Sequence, residues 1–148
     1  MSLKLNIETE IKKAMLAKDK DRLRALRGIK SLIMLEETKG GNQGVSEADE
    51  LKILTKAAKQ RRDSADIYQQ QNREDLASVE LAELEIINEF LPKQLSEVEI
   101  EFELKRIMAE VGAEGPKDMG KVMGAATKQL AGKADGKTIS QKVKSLLG

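Results

Sequence analysis

The sequence predicts an all-α protein, and three observations lead to that prediction. Aromatic residues make up 2% of the 148 residues and prolines number two, whereas β-sheets are enriched in aromatic and β-branched side chains. Alanine, leucine, lysine and glutamate, which favour helices, are abundant. Apolar residues, 40% of the chain, recur at spacings of three and four, as on one face of a helix. The predicted architecture is an N-terminal helical hairpin or bundle over 1–92 and a C-terminal three-helix bundle over 93–148.

The first two helices are predicted to pair as a hairpin, because the connection between them is short. Ile7, Ile11 and either Met15 or Ala14 form an apolar stripe, which indicates a helix over about 3–17. The next helix is expected to have Asp21 as its N-cap and to run to about residue 39. Its predicted buried face consists of Leu23, Leu26, Ile29 and Ile33.

Two further helices complete the N-terminal domain. Three glycines within 40–44 predict an exposed loop, since glycine is unfavourable inside a helix. Ser46 followed by Asp49 is typical of a helix start, and the third helix is predicted to reach about residue 72. A fourth, acidic helix is expected to end before Pro92, because the residue preceding a proline is disfavoured in the α conformation. Its predicted buried face consists of Leu76, Val79, Leu84, Ile87 and Leu91.

The C-terminal domain is predicted to contain three helices joined by short turns. Ser96 and Glu99 have the spacing of a capping box, in which each side chain accepts a hydrogen bond from the other residue's backbone N–H. Gly112 is expected to end the first of these helices. Pro116 suits the first position of the second helix, and Gly132 is expected to end it. The predicted core consists of Ile100, Leu104, Ile107, Met108, Val111, Met119, Val122, Met123, Ala126, Leu130, Ile139, Val143 and Leu146.

The formal net charge of +1 conceals a strong segregation of charge along the chain. Residues 1–73 hold 16 basic and 11 acidic side chains, 74–110 hold 3 and 11, and 111–148 hold 7 and 3. One interpretation is that oppositely charged helix faces pair with each other. The other is that a basic surface binds a polyanion. The second candidate for such a surface, after the C-terminal region, is the segment 12–30, with eight basic and two acidic residues.

The chain has no cysteine and no histidine, and this excludes several classes of site. Disulfide frameworks, cysteine-ligated zinc and thiol nucleophiles need cysteine, while a serine–histidine–aspartate triad needs histidine. We predict no metal, no cofactor and no catalytic residue. No segment has the continuous apolar core of a signal peptide or membrane helix, so we expect a cytoplasmic protein without a membrane partner.

Lysines and glycines coincide in the region 116–144. This region contains seven lysines and only two acidic residues, both aspartates. Gly120 and Gly124 lie within a predicted helix, where each is about 1 kcal/mol less favourable than alanine. Two explanations are open: a neighbouring helix crosses close over the glycines, or a phosphate or ribose backbone approaches them.

Three segments identify a resemblance to a known family. They are FLPKQLS at 90–96, KDMGKVM at 117–123, and GKADG at 132–136 followed by Ile139 and Val143. On these segments the chain resembles the GatB/YqeY family, and its similarity to the stand-alone YqeY proteins covers essentially the whole chain. The same family pattern forms the helical tail of the B subunit of the aspartyl/glutamyl-tRNA amidotransferase, which helps to bind tRNA.

The resemblance implies a helical module that binds tRNA, other structured RNA or a tRNA-dependent amidotransferase-related complex, without catalysing a reaction. The family label is carbon–nitrogen ligase activity with glutamine as amide donor. The catalytic parts of the amidotransferase lie outside the tail, however, and this chain has no phosphate loop and no Gly/Ser-rich amidase segment. The RNA-binding residues expected from the family pattern are Lys117, Gly120, Lys121, Gly124, Lys128, Gly132, Lys133 and Lys137.

Two alternatives remain open on the sequence. In the first, the chain is a protein-interaction adaptor in tRNA metabolism, whose acidic block and segment 12–30 contact an aminoacyl-tRNA synthetase or an amidotransferase subunit. In the second, it is itself a carbon–nitrogen ligase that uses glutamine. Binding that survives nuclease treatment would favour the adaptor, and glutamine turnover with mischarged tRNA would favour the enzyme.

Overall fold

The computed structural model describes residues 2–39 and 44–148. These residues form seven α-helices and one short 3-10 turn, without any strand among them. The all-α prediction is confirmed. The predicted loop at 40–44 lies outside the described residues except for Gly44. The chain divides into two compact units between Pro92 and Lys93, called here the N-terminal and C-terminal units.

The N-terminal unit is built from four helices around one apolar core. They are α1 (Leu3–Ala17), α2 (Lys20–Lys39), α3 (Glu47–Gln70) and α4 (Glu74–Asn88). The helices α1 and α2 pack against each other, as do α3 and α4, and α2 also contacts α3 and α4. The buried core consists of Leu3, Ile7, Ala14, Leu26, Ile29, Ile33, Ile53, Leu54, Ala57, Ala58 and Ile87.

Short side chains fix where these helices begin. Ser46 and Asp49 form the capping box at the start of α3, with the Ser46 Oγ accepting from the backbone N–H of Asp49 at 3.1 Å. The predicted cap of α2 is wrong by two residues. Asp19, and not Asp21, accepts a hydrogen bond from the backbone N–H of Arg22 at 3.1 Å, because α2 begins at Lys20, two residues earlier than a cap at Asp21 implies.

The buried faces resolve one open choice of the prediction and differ from it at one position, Val79. Of the two candidates near the end of α1, Ala14 is buried, whereas the Met15 side chain is 53% exposed. Val79 on α4 is exposed as well, and the buried positions of that helix are Ala77, Glu83 and Ile87. In both helices the buried side includes an alanine, Ala14 in α1 and Ala77 in α4.

A nearly buried carboxylate joins three helices of the N-terminal unit. Glu83 on α4 has an 8% exposed side chain. Its carboxylate accepts from the Arg24 Nε of α2 at 2.8 Å, and it pairs with the Arg61 Nε of α3 at 3.1 Å. Arg61 also donates to Glu80 at 3.2 Å. A buried charge is tolerated only when it is paired and hydrogen-bonded, so this network contributes to the fold of the unit.

The C-terminal unit contains three helices around a second, separate core. They are α5 (Glu97–Val111), α6 (Met119–Gln129) and α7 (Gly136–Leu147), and a 3-10 turn at Pro116–Asp118 precedes α6. Each helix packs against the other two. The buried core consists of Ile100, Leu104, Ile107, Val122, Ala126, Leu130, Ile139 and Val143.

The ends of the C-terminal helices follow the predicted signals. Ser96 and Glu99 form the capping box of α5, and Gly112 ends that helix in the left-handed conformation with φ of 69°. Asp135 caps α7 by accepting from the backbone N–H of Thr138 at 2.7 Å. None of the helices in the described part of the chain combines the length and apolarity needed to cross a membrane.

Candidate functional site

Five of the eight predicted RNA-binding residues share one exposed surface of the C-terminal unit. Lys117 lies in the 3-10 turn, and Gly120, Lys121, Gly124 and Lys128 lie on α6. All five are exposed. Positions 117, 121, 124 and 128 follow the spacing of one helix face, opposite the buried Val122 and Ala126. We call these five residues the lysine–glycine face.

The two glycines of this face are open to their surroundings. A Cβ atom added at Gly120 or Gly124 would meet no atom of the described chain within 4 Å beyond the helix itself. No helix of the C-terminal unit therefore crosses close over either glycine, and the explanation by a closely crossing helix fails within this unit. Each glycine weakens an exposed helix position without any packing gain from the described residues.

The lysines of the face lack ionic partners among the described residues. Lys117, Lys121 and Lys128 form no ion pair within 4 Å with any residue that the structure describes. Asp118 is the nearby acid. Its pKa lies below the usual 3.8, first because its carboxylate accepts from the backbone N–H of Glu114, at 2.8 Å. The charges of Lys121 and Lys117 also lower the pKa of Asp118, but its carboxylate is hydrogen-bonded to the backbone and forms no ion pair with either lysine within 4 Å.

The other three predicted residues lie in and after the turn that follows α6. Gly132 adopts a left-handed conformation with φ of 74°, and its carbonyl oxygen accepts from the Gln94 Nε2 at 2.7 Å. The carbonyl oxygen of Lys133 accepts from the backbone N–H of Leu95 at 2.9 Å. These two hydrogen bonds attach Gln94 and Leu95, which precede α5, to the turn after α6. Lys137 lies in the first turn of α7.

A groove beside Lys133 was not expected from the sequence. Its volume is about 330 Å³. Arg106 donates to Gln129 at 2.7 Å and to Glu103 at 2.8 Å across its wall. The residues come from α5, α6, the segment before α5 and the turn after α6, so no local sequence signal could identify them. The groove is lined by Leu95, Glu103, Arg106, Gln129, Leu130 and Lys133.

Half of the eight cations of the second basic candidate, segment 12–30, form ion pairs within the N-terminal unit. Arg22 donates to Glu89 at 2.6 Å and to Glu10 at 3.1 Å, and Arg24 contacts Glu83. Lys13 and Lys30 also have carboxylate partners. The acidic block on α4 therefore supplies partners for this segment, which supports the interpretation of pairing helix faces here. Within the described chain, four of its cations lie outside any such ion pair: Lys12, Lys18, Lys20 and Arg27.

The described residues contain no group of three or more acidic side chains arranged to hold a metal ion. Glutamates of α4 instead pair with arginines, as in the Arg61–Glu80 and Arg24–Glu83 pairs. The arrangement at the lysine–glycine face offers positive charge and open backbone, which suit an anionic polymer.

Comparison with known proteins places the chain in a family. The sequence pattern of the family described as Yqey-like protein matches residues 4–147. The chain belongs to this family. The match covers both units, and with it the predicted family membership is confirmed.

Several fungal members of known sequence are similar to the chain, all named Altered inheritance of mitochondria protein 41, mitochondrial. The protein of Clavispora lusitaniae is 37% identical over 127 residues, which is 84% of this chain and 72% of the relative. That of Lachancea thermotolerans is 32% identical over 113 residues, 75% of this chain and 60% of the relative. That of Kluyveromyces lactis is 29% identical over 142 residues, 94% of this chain and 72% of the relative. The aligned part of the chain thus corresponds to 60–72% of these relatives' lengths.

These relatives contradict the predicted cytoplasmic location, because their names describe them as mitochondrial. The prediction rested on the lack of a continuous apolar segment. Such a segment marks secretion or membrane insertion, whereas mitochondrial targeting uses amphipathic, arginine-rich sequence. The criterion was therefore unable to separate the two locations.

Proposed function

We propose that the C-terminal unit binds structured RNA, with tRNA as the first candidate, through the lysine–glycine face. One observation carries the proposal: unpaired lysines and uncovered glycines lie on the same exposed side of α6. Lysines supply charge to phosphates, and a helix without Cβ atoms lets a sugar–phosphate backbone approach closely. Lys133 and Lys137 extend the positive charge beyond the end of α6.

The proposed mode of binding rests on phosphates and shape. The face carries no aromatic side chain on which a base could stack. Sequence selectivity is therefore modest, and affinity depends strongly on salt. The family resemblance supports tRNA over other polyanions, since the related amidotransferase tail helps to bind tRNA.

We also propose that the unit binds RNA without transforming it. A reaction on an amide or ester needs a positioned nucleophile or general base, and the lysine–glycine face offers only ammonium groups and backbone. Purified protein that turned over glutamine in the presence of mischarged tRNA would overturn this part of the proposal and favour the carbon–nitrogen ligase alternative.

A titration with unmodified tRNA tests the binding proposal. With about 3 to 5 phosphate contacts, the dissociation constant should rise by on the order of thirtyfold to a few hundredfold between 50 and 200 mM salt. Fluorescence anisotropy of labelled tRNA measures this directly. Absence of binding at 50 mM salt, or equal affinity for duplex DNA of the same length, would contradict the proposal.

Replacing Gly120 and Gly124 together with alanine should separate stability from binding. Since both positions are open, the double variant should be about 2 kcal/mol more stable to denaturant, about 1 kcal/mol for each glycine. Its affinity for tRNA should fall, because two methyl groups now hold the RNA backbone away from the helix. Circular dichroism and the same anisotropy titration provide the two measurements.

Gly28 of α2 offers a matched control for this double variant. It too is exposed and has no atom within 4 Å of an added Cβ. Gly28→Ala should therefore stabilise the protein without changing tRNA affinity. If the double variant bound tRNA as well as the wild type, the glycines would not contact RNA.

A further inference from the structure

The outer face of α5 carries two large apolar side chains that are not part of the buried core. Val98 is 77% exposed and Phe102 is 68% exposed. They are four residues apart and lie on the same side of the helix, with Lys105 one turn and Ala109 two turns further on along that side. The buried side of α5, formed by Ile100, Leu104 and Ile107, is a different face. We define the α5 outer face as Val98, Phe102, Lys105 and Ala109.

The charges beside this face are predominantly negative. The helix holds five glutamates against one lysine and one arginine. Arg106 is engaged by Glu103 and Glu110, and Lys105 pairs with Glu101 at 3.5 Å. Both cations of α5 are thus compensated within the helix, and the surplus charge around Val98 and Phe102 is acidic.

Acidic surroundings decide which class of partner this face fits. An exposed phenylalanine next to lysines would suit a nucleic acid base. Phe102 has one lysine on its own face, Lys105, whose charge is compensated by Glu101. With Glu97 and Glu99 also close by, a base on Phe102 would bring phosphates towards like charge, which is unfavourable. Apolar side chains at helical spacing with flanking acids match an amphipathic helix that packs into an apolar groove edged by basic residues.

We propose that the α5 outer face is a docking surface for a partner protein that presents an apolar groove flanked by lysine or arginine. Val98 and Phe102 enter the groove, and the glutamates face its basic rims. The surface is separate from the lysine–glycine face and does not depend on RNA binding. The C-terminal unit therefore offers a basic side for RNA and an acidic, apolar side for protein.

A defined probe tests this proposal on the full chain. The probe is a synthetic amphipathic peptide of leucine and lysine, and its counterpart has glutamate in place of lysine. In nuclear magnetic resonance titrations the lysine peptide should shift the amide signals of residues 98, 102, 105 and 109. Phe102→Ser should weaken that binding about tenfold, as expected for an aromatic anchor, and the glutamate peptide should bind more weakly than the lysine peptide.

Leu16→Ser is the matched control, because Leu16 is 87% exposed but lies on α1 of the N-terminal unit. This variant should bind the lysine peptide like the wild type. Signal shifts confined to α4 or α6, or equal binding of both peptides, would overturn the proposal. So would sedimentation showing that the wild-type chain self-associates through Phe102, because the occupant would then be a second copy.

Discussion

Replacing Glu83 with alanine is expected to lower the free energy of unfolding by about 2 to 3 kcal/mol. The substitution removes an almost fully buried carboxylate that two arginines contact, at 2.8 Å from Arg24 and 3.1 Å from Arg61. Loss of one partner in a fully buried ion pair has a cost of about 3 to 5 kcal/mol. The estimate here is lower because the Arg24 and Arg61 side chains are 55% and 36% exposed, so water can solvate them.

The loss should appear in the N-terminal unit specifically. Tyr68, the chain's one tyrosine, lies on α3, and the chain has no tryptophan. Tyrosine fluorescence during denaturant unfolding therefore reports on this unit. Glu85→Ala on the same helix removes an exposed glutamate and should change stability by less than about 0.5 kcal/mol. Equal effects of the two substitutions would show that the Glu83 network does not stabilise the unit.

The second large effect is expected from the lysines of α6 and the turn before it. Changing Lys117, Lys121 and Lys128 together to glutamine should weaken tRNA binding by on the order of tenfold to a hundredfold at low salt. Each lost phosphate contact should also reduce the slope of log affinity against log salt by about one. Because these side chains are exposed, the far-ultraviolet circular dichroism should remain that of the wild type.

A variant with the same change in charge tests whether position matters. Lys12, Lys20 and Arg27 are also exposed, and they lie on the second basic candidate in the N-terminal unit. Their triple replacement by glutamine should leave tRNA affinity within about twofold of wild type. If it weakened binding as much as the α6 triple variant, RNA would be held by overall charge or by segment 12–30, and the lysine–glycine face would lose its assignment.

The features predicted correctly from the sequence are those determined by neighbouring residues. The capping boxes of α3 and α5 each need two residues three positions apart, and Gly112 needs only its own freedom at positive φ. The side of α6 on which Gly120 and Gly124 lie cannot be predicted from the glycines themselves, because glycine has no side chain whose polarity would indicate burial or exposure. Their outward position follows from Val122 and Ala126 pointing inward.

The features missed are those that depend on which helices meet. Glu83 looks in the sequence like one more residue of an acidic run, and its burial depends on Arg24 and Arg61, which are 59 and 22 positions away. The groove beside Lys133 likewise requires α5, α6 and a connector to come together. Helical periodicity identifies the faces of a helix, but it does not identify the partner of each face.

The order of packing in the chain also has a consequence for its synthesis. Each unit is a continuous stretch of sequence, and within each unit successive helices pair: α1 with α2, α3 with α4, α5 with α6 and α6 with α7. Contacts between sequence neighbours close short loops and form quickly. During translation, α1 to α4 can therefore pack while the ribosome is still adding the lysine-rich helices. The apolar residues of the first core are then already buried when those of the second core are made.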